Sequence, residues 1–272
     1  LMAYRLAEDP AVRLPVMVNL DGFYLSFTRE PVTLPEQDAV SQFLPPFDPG
    51  AIRFAASAPE SQAVAVLGGS PYSYFRYETH LAAQNALAVH ATIAEDFRKL
   101  FGRDRAALEA YRLDDAEIAF YMMGSFATKA REAVDRLREA GQRVGLLRPR
   151  LLRPFPIDSI ATALRGVAGV AVIDQNLSMG QGGVLHTELA AGLYGRTDSP
   201  RVLTSFIGGL GGREIAPEEF YQIAEVTRNA VKTGQTPPPR LLYTEHELRE
   251  LRKLQSVAMV ERNETTPGGD KS

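Results

Sequence analysis

The sequence of 272 residues contains no cysteine. That absence excludes disulfide bonds, a thiolate nucleophile and iron–sulfur ligation by this polypeptide, and it agrees with a cytoplasmic location. Histidine is also scarce, and no pair has the spacing typical of a metal site; the four histidines are His80, His90, His186 and His246. We therefore expect that any metal ion this protein works with is bound by another chain.

A strong charge of either sign and long apolar segments are missing as well. Thirty basic and 33 acidic residues give a net charge of −3, which argues against nucleic acid as a main partner. There is no run of about 18 apolar residues, so no transmembrane helix is predicted, and no signal peptide is visible. The hydrophobic fraction of 45% is ordinary for a globular protein.

What is present is an alternation of short apolar runs with helical patterns. The predicted strands fall near residues 118, 144, 171 and 203, and the predicted helices cover residues 127–140, 184–195 and 217–232, with another from Ile157. Repeated strand–helix–strand units favour an α/β fold, in which a parallel sheet carries helices on both faces.

Two glycine-rich turns, at residues 180–183 and 208–212, precede predicted helices. Because a helix N-terminus attracts anions, each turn is a candidate phosphate cradle. Neither turn has the lysine of a P-loop or the complete dinucleotide fingerprint, so a tight strand-to-helix turn explains both. No G-x-S-x-G nucleophile elbow is present at Gly124 and Ser125, which argues against a hydrolase.

The segments on either side of these strand–helix repeats show different sequence patterns. Residues 29–77 contain seven prolines, which predicts an extended, wrapping connection. Aromatic and basic residues at its end are expected to contact a neighbouring surface: Tyr72, Tyr74, Phe75, Arg76 and Tyr77. A long amphipathic helix is predicted over residues 78–103. A proline linker and a capping box at Thr244 and Glu247 predict a docking helix, and residues 261–272 are predicted to be mobile.

Residues 15–20 form a short apolar run that is predicted to be a strand followed by a turn. Ligands of open α/β sheets gather beyond the carboxyl ends of the strands. The residues that we expect beside a substrate or cofactor are therefore Asp21, Gly22, Phe23, Ser26 and Phe27. Packing is the alternative role for the two phenylalanines. No catalytic residue is identified.

Several of these stretches share a resemblance. They are Arg153-Pro154-Phe155-Pro156, the apolar run 170–174 with its glycine turn, residues 1–8, residues 15–23 and residues 206–213. Together they resemble the α subunit of 2-oxoacid:ferredoxin oxidoreductases, the pyruvate synthase family, and they follow one another in the family's order.

The resemblance implies oxidative decarboxylation of a 2-oxoacid to an acyl-CoA and CO2, with electrons passing to ferredoxin or a similar acceptor. It implies thiamine diphosphate, magnesium and iron–sulfur clusters held mainly by other domains or subunits, with coenzyme A as cosubstrate. The implied partners are a thiamine and iron–sulfur β subunit, a γ subunit or domain, and a ferredoxin-like subunit.

The resemblance also implies a domain organisation. Residues 1–45 would end a thiamine pyrimidine-binding domain whose first part is missing, and residues 46–112 would be an extended linker with the long helix. Residues 113–235 would be an α/β domain like the transketolase carboxyl-terminal domain, and residues 236–272 a docking helix and tail.

The sequence departs from the family at Ser26 and Phe27, where the family usually has a serine followed by a histidine. If this position lines the substrate site, the phenylalanine favours a bulkier or more apolar 2-oxoacid than pyruvate. The residues alone leave a second hypothesis open, a non-catalytic α/β module that binds an anion or a nucleotide at one glycine turn. Fold cannot separate the two, because function depends on sites.

Overall fold

The computed structural model of the protein describes residues 1–22, 24–50, 55–59 and 68–265, with side chains as far as residue 260. Within these ranges six strands form one sheet in the order β1-β3-β2-β4-β5-β6. Every pairing is parallel except that of β1 with β3, which confirms the α/β fold. The strands are β1 (Leu108–Tyr111), β2 (Ile118–Tyr121), β3 (Val144–Pro149), β4 (Gly169–Asp174), β5 (Val202–Ile207) and β6 (Arg240–Leu241).

Helices cover both faces of the sheet. The eight α-helices of the described ranges are α1 (Met2–Glu8), α2 (Gln37–Phe43), α3 (Gly69–Phe101), α4 (Ala127–Glu139), α5 (Ile157–Ala163), α6 (Val184–Leu193), α7 (Pro217–Thr233) and α8 (Glu245–Thr265). Helices α4 and α7 pack on one face and form one buried core. Helices α5 and α6 pack on the other face and form a second core.

The two central strands explain why the sheet lies in the interior. Every residue of β2 and of β4 is buried, as their unbroken apolar runs predict for parallel strands covered on both faces. The chain leaves β2 toward α4 on one face and leaves β4 toward α6 on the other. The crevice between the carboxyl ends of β2 and β4 is therefore the topological switch point of the sheet.

The two edge strands were not predicted. Strand β1 lies in the region expected to be a linker and pairs antiparallel with β3. Strand β6 has two exposed residues and lies in the predicted proline linker. Both are short and are defined by pairing with a neighbour, and strand propensity that depends on such context is weak in a single sequence.

The prediction of an extended chain is wrong for residues 37–43, which form α2, and for residues 69–77, which form the first turns of α3. Pro71 lies near the start of that helix, where a missing backbone N–H is tolerated. The aromatic cluster is therefore helical, and Tyr72, Tyr74 and Tyr77 expose 48, 60 and 58% of their surface. Within the described ranges these three tyrosine side chains are not buried by a neighbouring part of the chain.

Helix α3 packs on α1 and α2 in a third, smaller core. Its buried members are Leu6, Val12, Phe43, Ala86 and Ile93, with Phe97 and Phe101 packed against them. The apolar spacing of α3 predicted one buried face, and half of that face lies in this core. Ala94 is buried and Phe97 and Phe101 pack against the core, whereas Ala83, Leu87 and His90 are only half-buried. Burial lowers the pKa of His90 below its ordinary value, as expected for a packing residue.

The strand predicted over residues 15–20 is not formed in the described part of the chain. Met17, Val18 and Leu20 expose 86, 69 and 74% of their surface. An apolar run becomes a strand only when a neighbouring strand pairs with its backbone N–H and C=O groups. Residues 15–20 have no such strand partner among the described residues.

The carboxyl-terminal helix α8 begins as predicted. The Glu247 carboxylate accepts from the Thr244 backbone N–H at 2.6 Å, and the Thr244 hydroxyl accepts from the Glu247 N–H at 3.2 Å. The predicted mobile tail is wrong for residues 261–265, which continue the helix, and residues 266–272 lie outside the described ranges. A search of the described helices finds none with the length and apolar character to cross a membrane.

Candidate functional site

The side chain of Asp21 lies at the switch point of the sheet. Its carboxylate accepts a hydrogen bond from the Ser125 N–H, in the turn that follows β2. A methyl group added at Gly124 would lie 3.0 Å from the Asp21 carboxylate and 3.0 Å from the side-chain oxygen of Gln175, which follows β4. Gly124 has a φ of +78°, so this turn favours glycine for its backbone as well. Asp21 therefore fills the crevice in which open α/β sheets bind ligands.

Tyr24 attaches the same segment to the sheet at a second point. Its ring packs edge-to-face on Phe126, with the ring centroids 5.1 Å apart. Its hydroxyl lies 3.5 Å from the carbonyl oxygen of Gly212, in the turn after β5. Residues 21, 22 and 24–28, which we call the clasp segment, thus span the carboxyl ends of β2, β4 and β5.

The other predicted site residues lie on the outer side of the clasp segment. Gly22, Ser26 and Phe27 are exposed, and Phe27 exposes 78% of its surface. Phe23 lies outside the described ranges. The structure therefore brings Asp21 to the sheet and leaves Ser26 and Phe27 on a surface turn.

Sequence reasoning missed Tyr24, Phe126 and Gln175 at this edge. The side-chain nitrogen of Gln175 is buried without a hydrogen-bond partner in the described part of the chain. Gln175 directly follows β4, so the strand-end rule that pointed to Asp21 could have pointed to it as well.

The first glycine turn is closed by the protein's own carboxylate. Asp174, fully buried at the end of β4, accepts from the backbone N–H groups of Leu185 at 2.7 Å and His186 at 3.2 Å. Burial raises the pKa of Asp174, and these two N–H groups oppose the rise. A side chain at Gly183 would collide with the Asp174 carboxylate. The turn is therefore a tight strand-to-helix connection, and a phosphate at the N-terminus of α6 would meet a carboxylate.

The second glycine turn precedes α7, whose first turn supplies its own carboxylate. Glu219, 4% exposed, accepts from the Ala216 N–H at 2.8 Å. Arg213 donates to the Glu219 carboxylate at 3.0 and 3.2 Å and to the Glu247 carboxylate at 2.6 Å through two nitrogens. The N-terminus of α7 is thus occupied by Glu219, and Arg213 links α7 to α8.

Comparison with known families agrees with the resemblance seen in the sequence. Residues 116–220 match the family model described as pyruvate:ferredoxin oxidoreductase core domain II. Residues 1–96 match the model described as pyruvate flavodoxin/ferredoxin oxidoreductase, thiamine diphosphate-binding. The chain belongs to the 2-oxoacid:ferredoxin oxidoreductase family.

Curated relatives of two kinds, pyruvate synthase subunits and ketoisovalerate oxidoreductase subunits, support the same family membership. The chain is 40% identical over 229 residues to the pyruvate synthase subunit PorA of Methanothermobacter thermautotrophicus, a match that covers 84% of this chain and 58% of that subunit. It is 36% identical over 237 residues to the ketoisovalerate oxidoreductase subunit VorA of Pyrococcus horikoshii, covering 86% of this chain and 59% of that one. The chain therefore spans about three fifths of the length of these curated relatives.

Solved structures give more distant similarities. A 2-oxoglutarate:ferredoxin oxidoreductase from Magnetococcus marinus aligns with a TM-score of 0.38 and 18% identity, over 64% of this chain and 24% of that chain. A split-gene transketolase aligns with a TM-score of 0.31 and 15% identity, over 54% of this chain and 53% of that one. Both scores are low, and nothing further is inferred from them.

The residues present do not fit the inorganic groups of a 2-oxoacid:ferredoxin oxidoreductase. No cysteine is available for an iron–sulfur cluster. In the described ranges no three side chains of His, Asp or Glu come together as a metal site would require. His186 is half-buried at the start of α6, with its backbone N–H on Asp174, which agrees with a packing role.

Proposed function

We propose that this chain is the supporting α/β lobe, with an adjoining part of the thiamine-binding domain, of a 2-oxoacid:ferredoxin oxidoreductase complex. The complex would convert a 2-oxoacid and coenzyme A to an acyl-CoA and CO2 and pass electrons to ferredoxin or a similar acceptor. Thiamine diphosphate would supply the electron sink for decarboxylation. Membership of the family supports this assignment, and a cytoplasmic location belongs to the same proposal.

One observation supports the supporting role most directly. Three places at which an α/β domain can receive an anionic ligand hold a carboxylate of this chain. Asp21 lies in the switch-point crevice, Asp174 lies at the N-terminus of α6, and Glu219 lies at the N-terminus of α7. The lobe is therefore not built to hold a phosphate at its glycine turns. This counts against the rival hypothesis of an anion- or nucleotide-binding regulator.

The division of chemistry between subunits follows from what the chain lacks. Magnesium and iron–sulfur clusters would be held by partner subunits: a β subunit that binds thiamine and clusters, a γ subunit or domain, and a ferredoxin-like subunit. This chain's own contribution would be to fix the position of the clasp segment. Asp21 and Tyr24 attach that segment to the edge of the sheet at two points. Ser26 and Phe27, on the exposed side of that segment, would then face a neighbouring subunit or the substrate.

Copurification tests the proposal. The chain is expressed with its tag in cells that contain its natural partners, and the purified material is analysed for iron, acid-labile sulfide and thiamine. We expect a brown complex that reduces viologen dye when a 2-oxoacid and coenzyme A are both present. A colourless single chain that binds a nucleotide at one of its glycine turns would support the regulator instead.

The Phe27 position offers a sharper test of substrate choice. We expect Phe27→His to shift the ratio of turnover between branched or aromatic oxoacids and pyruvate by roughly tenfold toward pyruvate, since pocket contacts of this size discriminate by about that factor. The complex should elute unchanged. Phe47→His is the matched control, because Phe47 is also exposed and lies outside the clasp segment. An identical ratio in the wild-type and Phe27→His complexes would remove Phe27 from the substrate site.

A further inference from the structure

Away from the clasp segment, three arginines converge on one carboxylate. Glu109, on β1, is only 9% exposed. Arg131 of α4 donates to one of its oxygens and Arg150, just after β3, donates to the other. Arg148 lies opposite Glu109 in the β1–β3 ladder, with a guanidinium nitrogen 3.6 Å from the carboxylate. We call these four residues the Glu109 cluster.

Positive charge in the Glu109 cluster exceeds negative charge, because one carboxylate faces three guanidinium groups. Burial lowers the pKa of Arg148, and the charges of Arg150 and Arg131 lower it further. Arg105 adds another positive charge near Arg148, whereas Asp21 and Asp104 supply negative charge near Arg148 and Arg150 respectively. The Asp21 carboxylate, which accepts from the Ser125 N–H, therefore offsets part of the positive charge on Arg148.

The cluster also has more hydrogen-bond donors than acceptors. The Arg131 Nε and an Arg150 terminal nitrogen, Nη1, are buried and have no acceptor in the described part of the chain. Buried donors of charged groups are rarely left unpaired in a native protein, so such a surplus indicates a partner that completes the cluster.

The arginines can be reached from solvent although Glu109 cannot. The side chains of Arg131, Arg148 and Arg150 expose 43, 27 and 22% of their surface, above a carboxylate that is 9% exposed. An incoming group would therefore meet guanidinium groups first. Their planar forks match the oxygen geometry of phosphate, and the surplus of positive charge, which persists when Arg105, Asp21 and Asp104 are included, suits an anionic group.

We propose that the Glu109 cluster is a binding site for a phosphate group, bound by Arg148 and Arg150 from outside with Arg131 and Glu109 holding their guanidinium groups in place. The proposal is independent of the oxidoreductase assignment, because it concerns a corner of the sheet that no proposed step of the reaction uses. The phosphate can be the free ion or part of a larger ligand.

Calorimetric titration of the full chain with inorganic phosphate and with adenosine monophosphate, at matched ionic strength in chloride, tests the site. We expect saturable phosphate binding. Equal affinity for the two ligands would indicate that the phosphate group alone is recognised, and tighter binding of the nucleotide would indicate a larger phosphorylated ligand; both results support the site.

Variants locate the binding. Arg148→Gln should weaken phosphate affinity by about tenfold, because one charge-assisted contact is lost. Arg150→Gln provides a second variant in case the first disturbs folding. Arg143→Gln should bind like wild type, since Arg143 is an exposed arginine beside the opposite end of β3. No saturable phosphate binding by the folded wild-type chain, or equal affinity in all three variants and wild type, would overturn the proposal.

Discussion

The α/β lobe and the segments that flank it differ in what they do with their apolar side chains. In β2, Ala119, Phe120 and Tyr121 are 0% exposed. In the amino-terminal flank, Met17 and Phe27 expose 86 and 78% of their surface. In α8 at the other end, Leu254 and Met259 each expose 65%. The lobe buries its apolar side chains in its own interior, whereas the flanking segments leave theirs exposed on the surface.

The difference indicates where stability and assembly reside. The lobe has two cores, one on each face of its sheet, and can supply its own folding free energy. The flanks have one small core around α3 and a large apolar surface. Exposed apolar surface of this kind marks contact with other proteins, so the flanks are the regions expected to meet partner subunits.

The largest loss of lobe stability is expected from Arg213→Gln. This change leaves the carboxylate of Glu219 buried without its cation and releases Glu247 of α8. Removing one partner of a buried ion pair costs about 3–5 kcal/mol, because the other charge stays buried without compensation. The free energy of unfolding should fall by about that amount. Urea denaturation measures it. Arg249→Gln, on the exposed surface of α8, should change stability very little.

A smaller loss is expected from Gly183→Ala. The added methyl group would collide with Asp174 and break the hydrogen bonds to the Leu185 and His186 N–H groups. A loss of about 2–3 kcal/mol in unfolding free energy is expected, as for other disrupted buried polar contacts. Gly69→Ala is the control, because a methyl group there meets no other atom within 4 Å. Equal stability of the two variants would show that Asp174 has room to move.

Acid should loosen α8 before it unfolds the lobe. The Arg213 guanidinium holds the pKa of Glu247 at about 2, well below its ordinary value, and the Thr244 N–H adds to the effect. A depressed carboxylate pKa stabilises the folded state above the ordinary value of about 4.3, and the stabilisation is lost as pH falls toward 2. The protection factors of amides in the first turns of α8, which compare observed exchange with the intrinsic rate at the same pH, should therefore fall over that range. In Glu247→Gln this pH-dependent step should be absent, with exchange already fast at neutral pH.

The smallest effect is expected from Tyr121→Phe. The Tyr121 hydroxyl is buried with no hydrogen-bond partner among the described residues, and burial raises its pKa above the ordinary value. Removing an unpaired buried hydroxyl is expected to leave stability unchanged or to raise it by up to about 1 kcal/mol. Thermal unfolding gives the answer, and a marked loss of stability would mean that this hydroxyl has a partner after all.

The contrast between lobe and flanks also explains how far the sequence could be interpreted. The four inner strands and α4 to α7 were predicted because their apolar spacing is fixed by burial on both faces. Strands β1 and β6 were missed because pairing with a neighbour defines them. The run at residues 15–20 was predicted as a strand that it does not form, since the sequence does not show which neighbour would pair with it.

The candidate site was predictable only in part. Asp21 was named as a site residue because it follows an apolar run that was predicted to be a strand. That strand is not formed, and the contacts of Asp21 with the Gly124–Ser125 turn depend on tertiary structure. For the glycine turns, the sequence favoured tight strand-to-helix connections over phosphate cradles, and the carboxylates found there agree with that preference. The position of Asp174 at the N-terminus of α6 depends on tertiary structure, whereas Glu219 belongs to the first turn of α7 itself. The roles of Ser26 and Phe27 in substrate choice remain predictions.

The most direct test of the central claim is native mass spectrometry of the tagged chain purified from cells that contain its natural partners, combined with a 2-oxoacid- and coenzyme A-dependent dye-reduction assay. A supporting lobe predicts an assembly that includes a cysteine-rich iron–sulfur subunit and a thiamine-binding subunit, with activity only in that assembly. A stable single chain that reduces the dye by itself, or that joins no such assembly in those cells, would contradict the account.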